Sequence, residues 1–179
     1  MDKEIVAYAS PTLAGIKCGN LFTYTKNDGV ESIHKLNLRL NKAGIYVEPL
    51  QSEKNRVLVY VYRKDMLARD LFKTDTRTFM RSFGYKDTDP DHCVEHLKER
   101  FKYGFPHEIG LFLGYPPEDV KGFIKNKGKN YIFCGYWKVY CDEKKARSRF
   151  CKYKNCTNRY CKLYEGGMPL EKLITGGLK

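Results

Sequence analysis

Apolar positions follow two different patterns along this chain of 179 residues, and these patterns predict its elements. Patterns typical of strands occur at residues 13–25, 45–50 and 56–63. A short polar turn at residues 52–55 separates the last two and predicts an antiparallel hairpin. Residues 2–9 are compatible with a short opening helix. Helical spacing between the first two strands predicts a helix with a buried apolar stripe, made of Val30, Ile33, Leu36, Leu40 and Ala43.

Residues 104–140 hold the densest run of motif-like sequence in the chain. Pro106 suits the first position of a short apolar helix, and Gly114 suits its left-handed end. After a second short helix, residues 131–140 alternate as a strand whose two faces are both apolar or aromatic. That composition predicts a central strand. Gly135 within it predicts the close approach of a backbone, a ligand or Trp137.

A long amphipathic helix is predicted at residues 142–164, because apolar residues recur there at spacings of four and three. Its apolar stripe is Ala146, Phe150, Tyr153, Thr157, Tyr160 and Tyr164. Its opposite face is basic and consists of Lys144, Lys145, Arg147, Arg149, Lys152, Arg159 and Lys162.

The order of these elements predicts an α+β fold. We expect a mixed, mainly antiparallel sheet of about four strands with helices packed on it, similar to a ferredoxin-like split β-α-β arrangement. The helical region at residues 64–128 would be an insert in that plan. The length favours a single domain over residues 1–179, globular over 1–165 and followed by a loosely held tail at 166–179.

Charge is distributed unevenly along the chain. The formal net charge is +12, and residues 121–165 contribute 13 basic and three acidic residues to it. The first 120 residues are nearly neutral. No apolar run is long enough to cross a membrane, and the N-terminus lacks the basic start and apolar core of a secretory signal, so we expect a cytoplasmic protein. In that compartment seven cysteines indicate free thiols or metal ligands, not a disulfide framework.

Three segments resemble a known family. They are SPTLAGIKCGNLF at residues 10–22, FPHEIGLFLGYPPEDVKGF at residues 105–123 and GYWKVY at residues 135–140. Together they resemble domain of unknown function family 3793 of anaerobic Firmicutes. The resemblance implies no established activity. It does imply an association with flavodoxin-type and iron-uptake genes.

A small-ligand pocket is one hypothesis, placed between residues 10–20 and residues 107–115. Lys17 and Arg63 are the possible anion contacts, against the alternative that both are surface charges at strand ends. The candidate ligand-binding residues are Ser10, Thr12, Lys17, Asn20, Arg63, Tyr115, Tyr136 and Trp137. His107 and Glu108 are the catalytic candidates, and the alternative is a structural pair that caps or pairs locally.

The other motifs do not indicate a specific chemistry. His92 to His96 fits the inverted zinc motif H-x-x-E-H, but no third ligand is evident and the structural alternative is favoured. No C-x-x-C pair is present, so no metal site is assigned. Phosphate-loop and dinucleotide fingerprints are absent, and no cofactor is assigned.

Three functions follow from these observations. In the first, the basic face of the 142–164 helix docks an acidic redox protein such as a flavodoxin, in an accessory role in anaerobic iron or redox metabolism. The second is an enzyme that uses the small-ligand pocket. The third is a nucleic-acid-binding protein in which Lys and Arg interleave with Tyr along the same helix. A solvated basic face with no partner is the alternative to the first and the third.

Overall fold

The computed structural model of the chain describes residues 1–25, 29–86 and 89–174, and these residues form two compact units. The first unit comprises Met1–Leu67 and the chain from Asn155 onward, and the second comprises Ala68–Lys154. The prediction of a single domain stays a prediction. The described helices and strands, in chain order, are α1 (Asp2–Leu13), β1 (Gly19–Tyr24), α2 (Gly29–Leu40), β2 (Ile45–Glu53), β3 (Arg56–Arg63), α3 (Lys64–Leu71), α4 (Thr74–Arg81), α5 (Pro90–Phe101), α6 (Ile109–Phe112), α7 (Pro117–Lys125), β4 (Phe133–Cys134), β5 (Lys138–Val139) and α8 (Glu143–Glu165).

The first unit is built on a three-stranded sheet with the order β1-β3-β2. Both outer strands run antiparallel to β3, with Phe22 opposite Val59 and Val47 opposite Val61. The outer strands therefore run parallel to each other, and α2 connects them. This is the split β-α-β arrangement that the sequence predicts, within the α+β class. The β2–β3 hairpin is confirmed, with Lys54 at φ 50° in its turn.

The core of the first unit lies on one face of this sheet. Val57, Val59 and Val61 of β3 belong to it, as alternation in a strand requires. Helix α2 contributes Ile33, Leu36 and Leu40, helix α1 contributes Ile5, Val6, Ala9 and Leu13, and α8 contributes Tyr160. Val30, predicted to lie in the α2 stripe, is exposed instead.

Helix α1 corrects one prediction, because it continues through Pro11 to Leu13 and the strand begins only at Gly19. A proline inside a helix removes a hydrogen bond at a cost of about 3 kcal/mol. Here the guanidinium of Arg63 donates to the carbonyl oxygens of Thr12 and Leu13, each at 2.6 Å. A cation that caps the last carbonyls also complements the helix dipole. This tertiary contact offsets the local cost of the proline.

The prediction of a loosely held tail is wrong for residues 170–174. Leu170, Leu173 and Ile174 are buried in the core of the first unit. Arg39 of α2 also donates to the carboxylate of Glu171 at 2.6 Å. These apolar side chains therefore pack into the core although they show no helical or strand periodicity in the sequence. Residues 175–179 of the predicted tail lie outside the described residues.

The prediction of a central fourth strand at residues 131–140 is also wrong. The segment folds back on itself as a short hairpin, in which Phe133 pairs with Val139 and Cys134 with Lys138. Gly135 N–H donates to the carbonyl oxygen of Trp137 at 3.1 Å and closes the turn. The hairpin forms its own two-stranded sheet. Trp137 is buried whereas Tyr131 and Tyr136 are exposed, so the aromatic residues of this segment are not buried on both faces of a strand.

Two glycines of the second unit lie where a side chain would collide with an aromatic ring. A Cβ at Gly122 would lie 2.6 Å from Cγ of Tyr140, and one at Gly135 would lie 2.5 Å from Cδ2 of Phe150. The close approach predicted at Gly135 is thus made by Phe150. That ring is held in place because Trp137 packs edge-on against it, at 4.4 Å between ring centroids.

We therefore expect Gly135→Ala to lower the free energy of unfolding by about 1–3 kcal/mol, the usual cost of overpacking. Chemical denaturation followed by circular dichroism measures the change. Ser148→Ala, an exposed substitution on α8, is the control and should stay within about 0.5 kcal/mol of wild type. Equal midpoints for Gly135→Ala and wild type would contradict the close packing of Phe150 on this turn.

Candidate functional site

Helix α8 presents the basic face that the sequence predicts. Ala146, Phe150, Tyr153 and Tyr160 are buried, which confirms most of the apolar stripe. The face opposite the stripe, here called the α8 basic face, consists of Lys144, Lys145, Arg147, Arg149, Lys152, Arg159 and Lys162; all are exposed except the half-buried Arg149. Its first five members belong to the second unit and the last two to the first.

The charges on this face are largely uncompensated among the residues that the structure describes. Arg147 forms an ion pair with Glu143, at 2.7 Å between Nη2 and Oε1, and its guanidinium also lies over the ring of Phe133. The other six members make no ion pair with a described residue. Lys145, Arg149 and Lys152 follow one another at four- and three-residue spacing, so they form one line about 10 Å long.

The aromatic residues of α8 do not interleave with these cations on the surface. Tyr153 and Tyr160 lie in the buried stripe. Phe150 packs against Trp137 and Tyr136. A partner that approaches the basic face therefore meets ammonium and guanidinium groups without aromatic rings between them.

Five of the predicted ligand-binding residues form a buried polar group in the first unit: Ser10, Thr12, Lys17, Asn20 and Arg63. The hydroxyl of Ser10 donates to the carbonyl oxygen of Val6, and that of Thr12 donates to Oδ1 of Asn20 at 2.7 Å. The side chains thus join the end of α1 to the start of β1. Burial lowers the pKa of the Arg63 guanidinium.

Lys17 is the buried residue with the most unusual acid–base behaviour in this group. Its side chain is 4% exposed, and burial lowers its pKa from 10.5 to about 8, although the neighbouring Cys18 acts in the opposite direction. About a tenth of such an amine is neutral at pH 7, and the neutral amine is the nucleophilic form. Because this amine is buried, only small molecules could reach it.

The three remaining ligand-binding candidates come together in the second unit. The ring of Tyr115 stacks on Trp137 at 4.8 Å between centroids, and its hydroxyl donates to the carbonyl oxygen of Tyr136 at 3.2 Å. Asp119, which the sequence analysis did not single out, holds this group. Its buried carboxylate accepts from Nε1 of Trp137 at 2.7 Å and from the backbone N–H of Tyr140 at 2.8 Å. A single buried tryptophan whose N–H requires a partner was the available signal.

The catalytic candidates differ in their surroundings. Glu108 is buried and accepts a short hydrogen bond from Nε of Arg100, while the Tyr85 hydroxyl lies 3.4 Å away. Burial raises the pKa of Tyr85, and Glu108 adds to that effect. His107 is exposed, and its ring lies between those of Phe105 and Phe123. Residues 10–20 and 107–115 belong to different units, and the pocket hypothesis that joins them stays a prediction.

The histidine pair and the cysteines have ordinary structural surroundings. Nε2 of His96 lies 3.0 Å from the carbonyl oxygen of Phe83, while His92 is exposed in the first turn of α5. All seven cysteines are described and none forms a disulfide. Within residues 1–25, 29–86 and 89–174, no three His, Cys, Asp or Glu side chains are grouped as a metal site would need. Over the same residues, no helix has the length and apolar character needed to span a membrane.

Comparison with known families identifies the family to which the chain belongs. The family model described as "Protein of unknown function (DUF3793)" matches residues 5–174. The chain belongs to the DUF3793 family. The match extends over nearly all of the chain and confirms the resemblance carried by residues 10–22, 105–123 and 135–140. Searches of curated proteins and of solved structures find no match. Function in this DUF3793 protein is therefore argued from its geometry and charge.

Lys17 makes the stability of the protein depend on pH. The folded state releases the lysine proton near pH 8 and the unfolded state near 10.5. Between these values the unfolded state binds more protons, so the free energy of unfolding rises with pH, by up to about 3 kcal/mol in total. Below pH 8 the cost of burying the charge is fully present. The difference in free energy of unfolding between wild type and Lys17→Met should therefore shift in favour of wild type between pH 7.5 and 10.5.

Denaturation midpoints of wild type and variant at several pH values test this dependence. Lys42→Met removes an exposed lysine of the same unit and serves as the control. Its difference from wild type should not change with pH over this window. If the Lys17→Met difference were equally constant, Lys17 would not carry a lowered pKa.

Proposed function

We propose that this protein docks an acidic partner protein through the α8 basic face. The observation that carries the proposal is a line of cations on one helix face, the exposed Lys145 and Lys152 with the half-buried Arg149 between them, that make no ion pair with a described residue. Lys144, Lys145 and Lys152 are exposed lysines of the α8 basic face in the second unit. Uncompensated charge of one sign speeds the encounter with an oppositely charged surface and selects against basic partners.

The arrangement of α8 favours a protein surface over nucleic acid as the partner. Single strands are bound by aromatic rings that stack on bases, together with cations that contact phosphates. On α8 the rings of Phe150, Tyr153 and Tyr160 are buried, so the face offers charge alone. The cations of Lys145, Arg149 and Lys152, in a line about 10 Å long, suit carboxylates arrayed on an acidic protein.

The setting of this docking is part of the proposal. We infer an accessory role in anaerobic iron or redox metabolism, with a flavodoxin as the acidic partner, because the sequence resemblance carries that association. We also infer a cytoplasmic location. Seven cysteines without a disulfide are consistent with a reducing compartment.

Removing three charges from the face should weaken docking. We expect Lys144→Gln, Lys145→Gln and Lys152→Gln, combined in one variant, to lower the affinity for a flavodoxin about tenfold at low salt. This follows because each exposed charge pair contributes about 0.5 kcal/mol. Isothermal calorimetry measures the change, and the loss should diminish at high salt because screening weakens the wild-type attraction.

The control variant carries the same change in net charge elsewhere. Lys3→Gln, Lys42→Gln and Lys86→Gln remove three exposed lysines outside α8. This variant should bind nearly as tightly as wild type. Equal losses in both variants would mean that only net charge matters. If duplex DNA bound more tightly than the acidic protein and competed for the α8 basic face, the partner class proposed here would be wrong.

A further inference from the structure

A second surface, also in the second unit, combines exposed aromatic rings with lysines. We call it the aromatic–lysine surface and define it by Phe105, His107, Phe123, Tyr131 and Lys138. The ring of His107 lies 6.0 Å from that of Phe105 and 5.1 Å from that of Phe123. Nζ of Lys138 lies 5.8 Å from the Phe123 ring and 4.9 Å from the Tyr131 ring. The rings of Phe105, His107 and Phe123 thus follow one another, and the ammonium group of Lys138 links the rings of Phe123 and Tyr131.

These rings are accessible. The side chain of Phe105 is 56% exposed and that of Tyr131 is 43% exposed. His107 is exposed and Phe123 is half-buried between them. Single exposed apolar residues are common on protein surfaces, whereas a contiguous group marks an interaction site.

The segment that carries Phe123 and Tyr131 has charges of one sign. Residues 120–141 contain five lysines and no acidic residue. Lys125, Lys127 and Lys129 are exposed in the segment between Phe123 and Tyr131, and none of them forms an ion pair with a residue that the structure describes. An anionic partner therefore meets no local repulsion on this segment.

The turn that follows α7 and carries Lys127 and Lys129 is held in a defined shape. Lys127, Gly128 and Asn130 have φ values of 51°, 72° and 57°, all in the left-handed region. Gly128 N–H donates to the carbonyl oxygen of Phe123 at 2.9 Å, and Nζ of Lys138 donates to the carbonyl oxygen of Gly128 at 2.7 Å. The lysines are thus presented from a fixed turn beside the rings, which reduces the ordering cost of binding.

We propose that the aromatic–lysine surface binds single-stranded nucleic acid. Its bases stack on Phe105 and Tyr131, and its phosphates contact Lys125, Lys127 and Lys129. A single strand presents planar bases that alternate with negatively charged phosphates. Both groups match this surface, because aromatic rings stack on any base and lysines contact the phosphates along the backbone. An acidic peptide supplies the charge without the planar groups, and a duplex keeps its bases paired. The proposal is independent of docking at the α8 basic face.

Removing the two rings tests the stacking without changing the charge. Binding of a fluorescein-labelled twelve-nucleotide oligothymidylate is followed by fluorescence anisotropy. Phe105→Ala combined with Tyr131→Ala should weaken binding at least about tenfold, given the usual contribution of each stacked base. The matched control, Tyr8→Ala combined with Phe72→Ala, removes two other exposed rings and should bind as wild type does.

A second variant tests the phosphate contacts. Lys125→Gln, Lys127→Gln and Lys129→Gln together should flatten the dependence of log affinity on log salt by about 2, as expected for three lost contacts to a single strand. Wild-type protein that fails to bind the oligonucleotide, or a double-ring variant that binds as wild type does, overturns the proposal. So does a duplex of the same length that competes equally well.

Discussion

The second unit is organised around the buried carboxylate of Asp119. It accepts from the indole N–H of Trp137 and the backbone N–H of Tyr140, and from the backbone N–H of Cys141 at 3.3 Å. A buried carboxylate is tolerated only when hydrogen bonds replace its lost hydration, and an unmade bond of this kind costs roughly 1–3 kcal/mol. Asp119 therefore ties α7 to the hairpin β4–β5 and to Cys141, two residues before α8 begins. Asp142 then begins α8 by accepting from the backbone N–H of Lys145 at 2.9 Å.

Both proposed surfaces depend on this anchor. The hairpin carries Lys138 and is preceded by Tyr131, whereas the segment after Cys141 begins the α8 basic face. The two surfaces nevertheless differ in chemistry. On α8 the rings are turned into the core and cations alone face outward, which suits an acidic protein. Around Phe105 and Phe123 the rings remain outside with lysines beside them, which suits unpaired bases and phosphates. We propose that these two surfaces bind two different kinds of anionic partner.

Sequence reasoning succeeded where local periodicity determines structure. The stripe of α8, the β2–β3 hairpin and the left-handed end at Gly114 follow from spacing and turn chemistry alone. It failed where a contact between residues far apart in the sequence determines the local structure. Helix α1 passes Pro11 because Arg63, some fifty residues later, caps its last carbonyls. Residues 131–140 form a hairpin whose turn at Gly135 packs closely against Phe150, a contact that local periodicity does not reveal.

The residues of the candidate site were also predictable only in part. The basic face follows from charge at helical spacing, and the polar residues from 10 to 20 were identified by type although their burial was not. The burial of Lys17 depends on how the chain around β1 packs, which its sequence neighbours do not reveal. The role of Asp119 was also missed, since an acidic residue in the first turn of a helix is adequately explained by the dipole. Only the fold brings the indole of Trp137 to it.

Hydrogen exchange of the indole N–H of Trp137, followed by NMR, tests most directly whether Asp119 anchors the second unit. The chain has one tryptophan, so its indole gives one assignable signal. The account predicts exchange as slow as that of the most protected amides in this unit, because the proton is buried and bonded to a carboxylate. An indole proton that exchanges at the rate of an exposed side chain would contradict the anchor, and with it the placement of the hairpin and the start of α8.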